Sequence, residues 1–241
     1  MHVCYDCVLR INRPFNSNSL SLGHLITIHS LCLLGVWPWI TTGIQSLSRS
    51  DYEIIVFPGG SGNGQATAIG TKGLDAVRNF VKNGGGYIGT CGGAFLGIQH
   101  LMFYGNPPPP TQEPFDRGHG EVQVEFQSLG LSELHLNYTK NVTIVYWQGP
   151  IVKTKDFPED VQILAIFRTE IHSRHTNQTT GQMINTPAIT ALDSEPTAGR
   201  IVLNSPHPEI PRSDGTTLPE IYAGELSFIR EKQIKQLQMT M

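Results

Sequence analysis

The chain carries a cysteine in the glycine-rich stretch GGGYIGTCGGAFLG, which runs from Gly84 to Gly97. The segment around Cys91 has the form Gly-x-nucleophile-x-Gly, typical of a reactive side chain on a sharp turn between a strand and a helix. Such a turn strains the backbone and leaves no room for side chains two positions away, so glycine is needed there. The positive end of the helix dipole also favours a thiolate. The pattern predicts that Cys91 is a nucleophile rather than a structural cysteine.

A thiol nucleophile needs a base, and His207 is the best candidate among the nine histidines. It lies in the segment SPHPE, directly after the apolar run IVLNS, where a buried strand would end. Pro206 and Pro208 stiffen the turn and so restrict the direction of the imidazole. Glu209 follows two residues later, near enough to orient the ring. We therefore expect Cys91, His207 and Glu209 to form one catalytic set.

A second glycine-rich segment, PGGSGNG, begins at Pro58 after another apolar run. It lacks the Gly-Lys-Ser/Thr of a phosphate-binding loop. Backbone N–H groups in such a loop can instead stabilise an oxyanion at the same edge of the sheet as the thiol. We expect Gly59 and Gly60 to supply the amide donors. The predicted oxyanion and substrate loop comprises Gly59, Gly60, Ser61, Gly62 and Gly92.

Apolar runs and helical periodicity predict an α/β fold with a mostly parallel central sheet and right-handed crossovers. The run YEIIVF, from Tyr52 to Phe57, is typical of a buried parallel strand, and Thr71 to Val81 has the periodicity of a helix. The other predicted strands are MHVCYDCVL, GYIG, EVQVEF, NVTIVYW, VQILAIF, AITAL and RIVLNS, and the other predicted helices are Leu20 to Leu34, AFLGIQHLM and GELSFIREKQIKQLQMTM. No linker divides the chain, so we expect one domain.

Three further residues are candidates for the wall of a pocket. Arg168 and Glu170 follow an apolar strand, where they would bind a substrate carboxylate or form an ion pair with each other. Tyr146 would line the pocket or pack in the core. His172 and His175 lack a third clustered ligand, so no metal site is expected, and no motif indicates a cofactor.

Composition restricts the partners. The net charge is −3 and the basic residues form no stripe, which argues against a nucleic-acid partner and leaves a small-molecule substrate or ligand. The four cysteines do not form a disulfide framework, and Cys4 and Cys7 form one CxxC with no second pair for zinc. The sequence leaves the oligomeric state open, a homodimer included.

The compartment depends on one apolar segment, from Leu25 to Ile40. His29 and Pro38 interrupt this run, which argues against a membrane span or signal segment. We expect a cytoplasmic protein. Secretion stays open as the alternative, because Asn-x-Thr sequons begin at Asn137, Asn141 and Asn177.

The ordered motifs FPGG, GTCGG and SPHPE resemble those of the class I glutamine amidotransferase-like superfamily. The longer segment from Asp51 to Gly97, with the later YWQGP and FRTEI, is similar to the N-terminal domain of biotin–protein ligases. The resemblance covers residues 51–209 and implies a flavodoxin-like three-layer sandwich with a Cys-His-Glu triad. Residues 1–50 match poorly, and residues 210–241 are expected to form a helical C-terminal extension.

One departure from the superfamily bears on the substrate. Glutamine-hydrolysing members carry glutamine or histidine four residues after the cysteine, and here that residue is Phe95. Glutaminase activity is therefore not expected. Two functions remain in the first rank: a thiol hydrolase or amidase, and a non-catalytic ligand-binding or regulatory module. A redox thiol protein ranks third because no acidic residue lies next to Cys91 in the sequence.

Overall fold

The computed structural model describes residues 9–12, 44, 47–111, 118–173, 176–179, 181–193 and 195–239. The predicted helix from Leu20 to Leu34 and the pair Cys4 and Cys7 lie outside the described residues. The predicted first strand also lies outside them, apart from Leu9.

The described residues form eight strands and four α-helices. The strands are β1 (Leu9–Asn12), β2 (Tyr52–Phe57), β3 (Gly86–Thr90), β4 (His119–Phe126), β5 (Val142–Trp147), β6 (Val161–Phe167), β7 (Pro187–Leu192) and β8 (Ile201–Asn204). The helices are α1 (Gly62–Lys82), α2 (Gly92–Phe95), α3 (Ser128–Glu133) and α4 (Pro219–Met239). A π-helical turn (Leu96–His100) continues α2, and a short 3₁₀ turn (Thr154–Asp156) precedes β6.

The strands form one sheet in the order β1-β2-β3-β8-β7-β6-β4-β5. The parallel part is its centre, where β2 pairs with β3 and β3 pairs with β8. The other five pairings are antiparallel. The α/β class and the added strands of the second half are confirmed, but the parallel share is smaller than predicted. The antiparallel pairs β4–β5 and β6–β7 are consecutive strands that hairpin-like connections can join, whereas the parallel pair β2–β3 needs a crossover, which α1 provides.

Two hydrophobic cores cover the two faces of the sheet. Ile54 and Val56 of β2 point into a core that includes residues of α4, and Ile55 and Phe57 point into a core that includes residues of α1. Successive side chains of a strand alternate between its faces, so a strand buried on both sides must be apolar throughout. This layering of helix, sheet and helix is the predicted three-layer sandwich.

Helix α1 is longer than the predicted segment from Thr71 to Val81. It begins at Gly62, and Gly70 (φ 62°, ψ −178°) interrupts it with a non-helical residue. Helix α4 begins at Pro219, five residues before the predicted start at Gly224. The earlier start places Tyr222 on a helix that packs against the sheet.

The sheet curls so that its edge strand β5 meets the turn after β8. Val145 and His207 form an antiparallel bridge, and the His207 N–H donates to the Val145 carbonyl at 2.7 Å. The two strands stand far apart in the sheet order, so only curvature brings them together. The end of β5 therefore lies beside the carboxyl ends of β3 and β8.

Candidate active site

Cys91 occupies a strained turn between β3 and α2. Its φ of 52° and ψ of −103° lie in a region that residues with a Cβ rarely adopt. Hydrogen bonds hold the turn on both sides: the Cys91 N–H donates to the Asn204 carbonyl at 2.7 Å, and the Phe95 N–H donates to the Cys91 carbonyl at 2.9 Å. Strain of this kind persists only where the surrounding structure enforces it.

The glycines around Cys91 are needed because backbones approach closely there. A Cβ on Gly89 would lie 2.6 Å from the Gly93 carbonyl oxygen, and one on Gly93 would lie 2.0 Å from the Phe57 carbonyl oxygen. The Gly93 N–H donates to the Pro58 carbonyl at 3.2 Å. The turn thus packs directly on the end of β2 and the start of the glycine-rich loop.

Cys91 is buried, with 7 % of its surface exposed. Its Sγ donates to the Trp147 carbonyl oxygen at 3.2 Å, so the curled edge strand β5 contacts the candidate nucleophile directly. Trp147 itself is half-buried, and its ring stacks on the exposed imidazole of His119 with centroids 4.6 Å apart.

His207 and Glu209 form a buried pair beside this thiol. His207 Nδ1 lies 2.7 Å from Glu209 Oε1, and His207 is only 6 % exposed. Burial alone would lower the pKa of His207, but the negative charges of Glu209 and of a Cys91 thiolate outweigh burial and raise it well above 6.5. Burial would raise the pKa of Glu209, and the charge and hydrogen bond of His207 lower it instead. The arrangement favours a carboxylate and an imidazolium.

The other ring nitrogen of His207 is available for proton transfer. His207 Nε2 is buried and makes no hydrogen bond with any other described residue. Because Nδ1 is engaged by Glu209, Nε2 is the nitrogen that would exchange a proton with a reacting group. The influence of Cys91 on the pKa of His207 reflects how near the thiol lies.

The glycine-rich loop lies against both the imidazole of His207 and the turn that carries Cys91, here called the nucleophile turn. A Cβ on Gly59 would lie 2.5 Å from His207 Cε1, so a side chain there would displace the ring. A Cβ on Gly92 would lie 2.3 Å from the Gly60 carbonyl oxygen. Gly60 also has a φ of 134°, which glycine adopts far more readily than other residues. The loop and the turn are therefore in backbone contact.

Ser61 and Gly62 begin helix α1. The Ser61 side chain accepts a hydrogen bond from the Gly64 N–H at 3.0 Å, as an N-cap residue does. A Cβ on Gly62 would lie 2.6 Å from Phe95 Cδ1. The side chain of Gln65 donates to the Pro58 carbonyl at 2.9 Å and anchors the start of the loop.

Each of the three candidate pocket residues has other contacts in the fold. Tyr146 is fully buried in a core, and its hydroxyl donates to the Gly149 carbonyl at 2.9 Å, so the core-packing alternative describes it. Arg168 pairs with Glu125 at 2.6 Å instead of with Glu170. Glu170 accepts hydrogen bonds from backbone N–H groups, those of Gly181, Gln182 and Met183.

Two residues of the site were not predicted. Trp147 follows Tyr146 in β5, and the alternation of strand side chains would have placed the two on opposite faces. Tyr222 of α4 donates its hydroxyl hydrogen to Glu209 Oε2 at 3.2 Å. No signal in the sequence links Tyr222 to Glu209, because the contact depends on how α4 packs against the sheet.

No metal centre is found in the part of the chain that the structure describes. Its histidine, cysteine, aspartate and glutamate side chains form no group of three that could hold a metal ion. Among the same residues, no helix is both long and apolar enough to cross a lipid bilayer.

A buried carboxyl group lies one helical turn beyond Tyr222. Glu225 is 0 % exposed, and neither of its oxygens has a hydrogen-bond partner among the described residues. Burial, reinforced by the charge of Glu209 and only partly offset by the nearby Asn204 amide, raises the pKa of Glu225 from 4.5 to about 8. The neutral form therefore stabilises the fold fully below about pH 4.5, and this stability is lost as the pH rises through about 8.

We expect Glu225→Gln to be more stable than the wild type at about pH 8 by a few kcal/mol, with little difference at about pH 4.5. A glutamine side chain is neutral at both pH values. The buried carboxyl of Glu225, by contrast, must at about pH 8 either ionise or retain a proton that it would lose in water. Urea unfolding at both pH values measures the difference. Glu159→Gln, at an exposed position, is the matched control and should show no such trend. Equal effects of the two substitutions at both pH values would contradict the prediction.

Comparisons with known proteins agree with this architecture. A model of the family described as Biotin-protein ligase, N terminal, matches residues 48–109, a range that includes β2, the glycine-rich loop and Cys91. The predicted resemblance to that domain is confirmed over these residues. A search of curated proteins gave no match.

Solved structures share the fold at low sequence identity. A GMP synthase component of Thermoplasma acidophilum is 12 % identical with a TM-score of 0.54, and the match covers 82 % of this chain and 81 % of that one. PurLQS of Thermotoga maritima is 17 % identical with a TM-score of 0.50 and coverages of 76 % and 82 %. A cytoplasmic protein of Salmonella typhimurium LT2 is 11 % identical with a TM-score of 0.51 and coverages of 92 % and 96 %.

These likenesses show the fold, a flavodoxin-type α/β fold that the chain shares with these solved structures. The segment that carries β2, β3 and the turn at Cys91 is similar to the biotin–protein ligase N-terminal domain. A shared fold at identities this low does not imply a shared reaction.

Proposed function

We propose that this protein is a thiol hydrolase or amidase that cleaves a small amide or ester through an acyl-enzyme at Cys91. The observation that carries the proposal is the buried His207–Glu209 pair beside a thiol on a strained turn. The raised pKa of His207 supports an imidazolium at neutral pH, and an imidazolium favours the thiolate that nucleophilic attack requires. Glu209 is the group that orients and stabilises this ring.

The proposed reaction begins from the ion pair of a Cys91 thiolate and a His207 imidazolium, in which the thiol proton already lies on His207 Nε2. The thiolate attacks the substrate carbonyl carbon, and the electron pair of the C=O bond moves to the oxygen. When the tetrahedral intermediate collapses, the amine or alkoxide leaves with the proton from Nε2. Water then attacks the thioester, His207 takes up its proton, and the released thiolate re-forms the ion pair with the imidazolium.

Amide groups near Cys91 support a site for the oxyanion. The N–H groups of Gly60 and Gly92 have no acceptor among the described residues, and these two glycines lie in backbone contact. Such paired donors stabilise the charge that develops on a carbonyl oxygen. In this proposal Gly59 leaves room for the His207 imidazole, because a side chain at this position would clash with His207 Cε1.

The substrate proposed is not glutamine. Phe95 replaces the polar residue that the superfamily uses to hold glutamine, and its ring lies against Gly62. A phenyl ring offers no hydrogen bond to an amide, and sites built to bind a polar group discriminate strongly through such bonds. A small amide or ester with an apolar acyl group suits this environment better.

We expect p-nitrophenyl acetate to acetylate Cys91 and to release p-nitrophenol catalytically. Acid quenching followed by peptide mass spectrometry identifies the acetylated cysteine, and Cys4, Cys7 and Cys32 of the same chain serve as internal controls. Cys91→Ala should abolish both acetylation at the site and turnover. Equal acetylation of all four cysteines would contradict the proposal and favour the alternative, a non-catalytic ligand-binding module.

A further inference from the structure

The hydroxyl of Tyr222 joins two parts of the site that are distant in the sequence. It lies 3.2 Å from Glu209 Oε2 and 2.5 Å from Thr90 Oγ1. Tyr222 is 5 % exposed and Thr90 is fully buried, so water does not compete for these bonds. Thr90 directly precedes the nucleophile, and Glu209 holds the base.

The chemistry of the acceptor sets the direction of the bonds. An ionised carboxylate can only accept, so Tyr222 donates to Glu209. The hydroxyl of Tyr222 has one hydrogen, so the second bond must be donated by Thr90. The hydrogen bonds therefore run from Thr90 to Tyr222 to Glu209, and the other carboxylate oxygen accepts from His207 Nδ1.

Tyr222 remains a donor wherever the pair is ionised. Burial raises the pKa of Tyr222 well above 10, and the charges of Glu209 and Glu225 raise it further. These two carboxyl groups, one in the turn after β8 and one on α4 itself, are the titratable groups that act on the phenol. The phenol therefore keeps its hydrogen through the neutral range.

We infer that Tyr222 is a positioning residue that fixes the Glu209 carboxylate and, through it, the proton on His207 Nδ1. This inference rests on the proposed function of Cys91 and His207. A carboxylate held at Oε1 alone can turn about its terminal torsion, which is broad for glutamate. A second bond at Oε2 removes that freedom, so Nδ1 keeps its hydrogen and Nε2 remains the nitrogen that exchanges a proton with the reacting groups.

The inference also assigns a role to the C-terminal helix. Thr90 ends β3 and Glu209 lies in the turn after β8, and residues of α4 pack in the core on one face of the same sheet. The side chain of Tyr222 on this helix therefore fixes the position of the turn that carries Cys91 relative to the turn that carries His207 and Glu209. Preorganisation of this kind keeps acid–base groups within the tight tolerances that proton transfer needs.

The test is the rate of Cys91 alkylation by iodoacetamide, followed from mildly acidic to mildly alkaline pH in wild type and Tyr222→Phe. We expect Tyr222→Phe to lower the rate at neutral pH by about 10-fold, the loss typical of one hydrogen bond to a charged group. The pH at which the rate is half-maximal should also shift upward. A purely structural role would lower the melting temperature and leave the pH profile unchanged.

Tyr104→Phe is the matched control, because Tyr104 is equally buried and its hydroxyl bonds a threonine, Thr190, outside the site. It should leave the pH profile as in wild type. If Tyr222→Phe does not fold, Thr90→Val carries the test, with Thr90→Ser retaining the hydroxyl. A slower rate in Thr90→Val that Thr90→Ser restores would support the inference.

The outcomes separate the inference from the proposed function. If His207→Ala slows alkylation but Tyr222→Phe, or Thr90→Val in its place, does not, the positioning role is wrong and the proposed function stands. If His207→Ala has no effect, both fail together, because there is then no activated pair for Tyr222 to position.

Discussion

His207→Ala is expected to slow alkylation of Cys91 by about 100-fold at neutral pH, the lower end of what a positioned acid–base group contributes. The pKa of His207 is raised well above 6.5, so the wild-type imidazolium persists at neutral pH, and in the proposed mechanism its positive charge favours the thiolate. As the pH rises through this raised pKa, His207 loses its charge and the electrostatic advantage disappears. The difference between variant and wild type should therefore shrink under alkaline conditions.

The positive charge of His207 also makes the free energy of unfolding depend on pH. The folded-state pKa of His207 lies above the unfolded value of 6.5, so the stabilisation is complete below that value and is lost as the pH rises through the folded-state pKa. His135→Ala is the matched control, because His135 is exposed and pairs with Glu231 at 2.9 Å, outside the site. Alkylation as fast in His207→Ala as in His135→Ala would contradict the role given to His207.

Gly93→Ala is expected to destabilise the protein by about 3 kcal/mol or more, beyond the usual cost of overpacking by one methyl group. The added Cβ would lie 2.0 Å from the Phe57 carbonyl oxygen and 2.8 Å from Phe57 Cβ. Backbone atoms at the end of a central strand cannot move away as a flexible side chain can. Urea unfolding should show the loss, and the thiol should become as reactive as an unstructured cysteine.

Gly64→Ala is the control for this substitution. Its Cβ would meet only the side chain of Ser61, at 3.2 Å, and alanine favours a helix over glycine by about 1 kcal/mol. The variant should stay within about 1 kcal/mol of the wild type, in either direction. Similar losses in both variants would mean that the nucleophile turn is not in tight contact with β2.

Much of the architecture could be predicted from local patterns. The strands β2 and β6 have the predicted bounds, because each is an apolar run that ends at a turn residue. The glycines around Cys91 predicted a strained turn, and the backbone angles there agree. Local steric requirements are carried by neighbouring residues, so they can be seen in the sequence.

Contacts between residues that are far apart in the sequence were predicted less well. For Tyr146 the sequence left open a place in the pocket wall or in the core; the structure buries it in the core, while the carbonyl of the next residue, Trp147, reaches the thiol. Arg168 and Glu170 looked like a pair, but the sheet brings Glu125 to Arg168. Charged side chains choose partners by proximity in the fold, which sequence spacing does not reveal.

Glycine spacing and apolar runs are local properties, so the amino-acid sequence was enough to predict the α/β class and the strained turn at Cys91. Two contacts could be seen only in the folded protein: β5 meets His207 because the sheet curls, and Tyr222 of α4 joins Thr90 to Glu209. Both contacts depend on strand curvature and helix packing, which arise from the sum of many long-range contacts and leave no periodic signal in the chain.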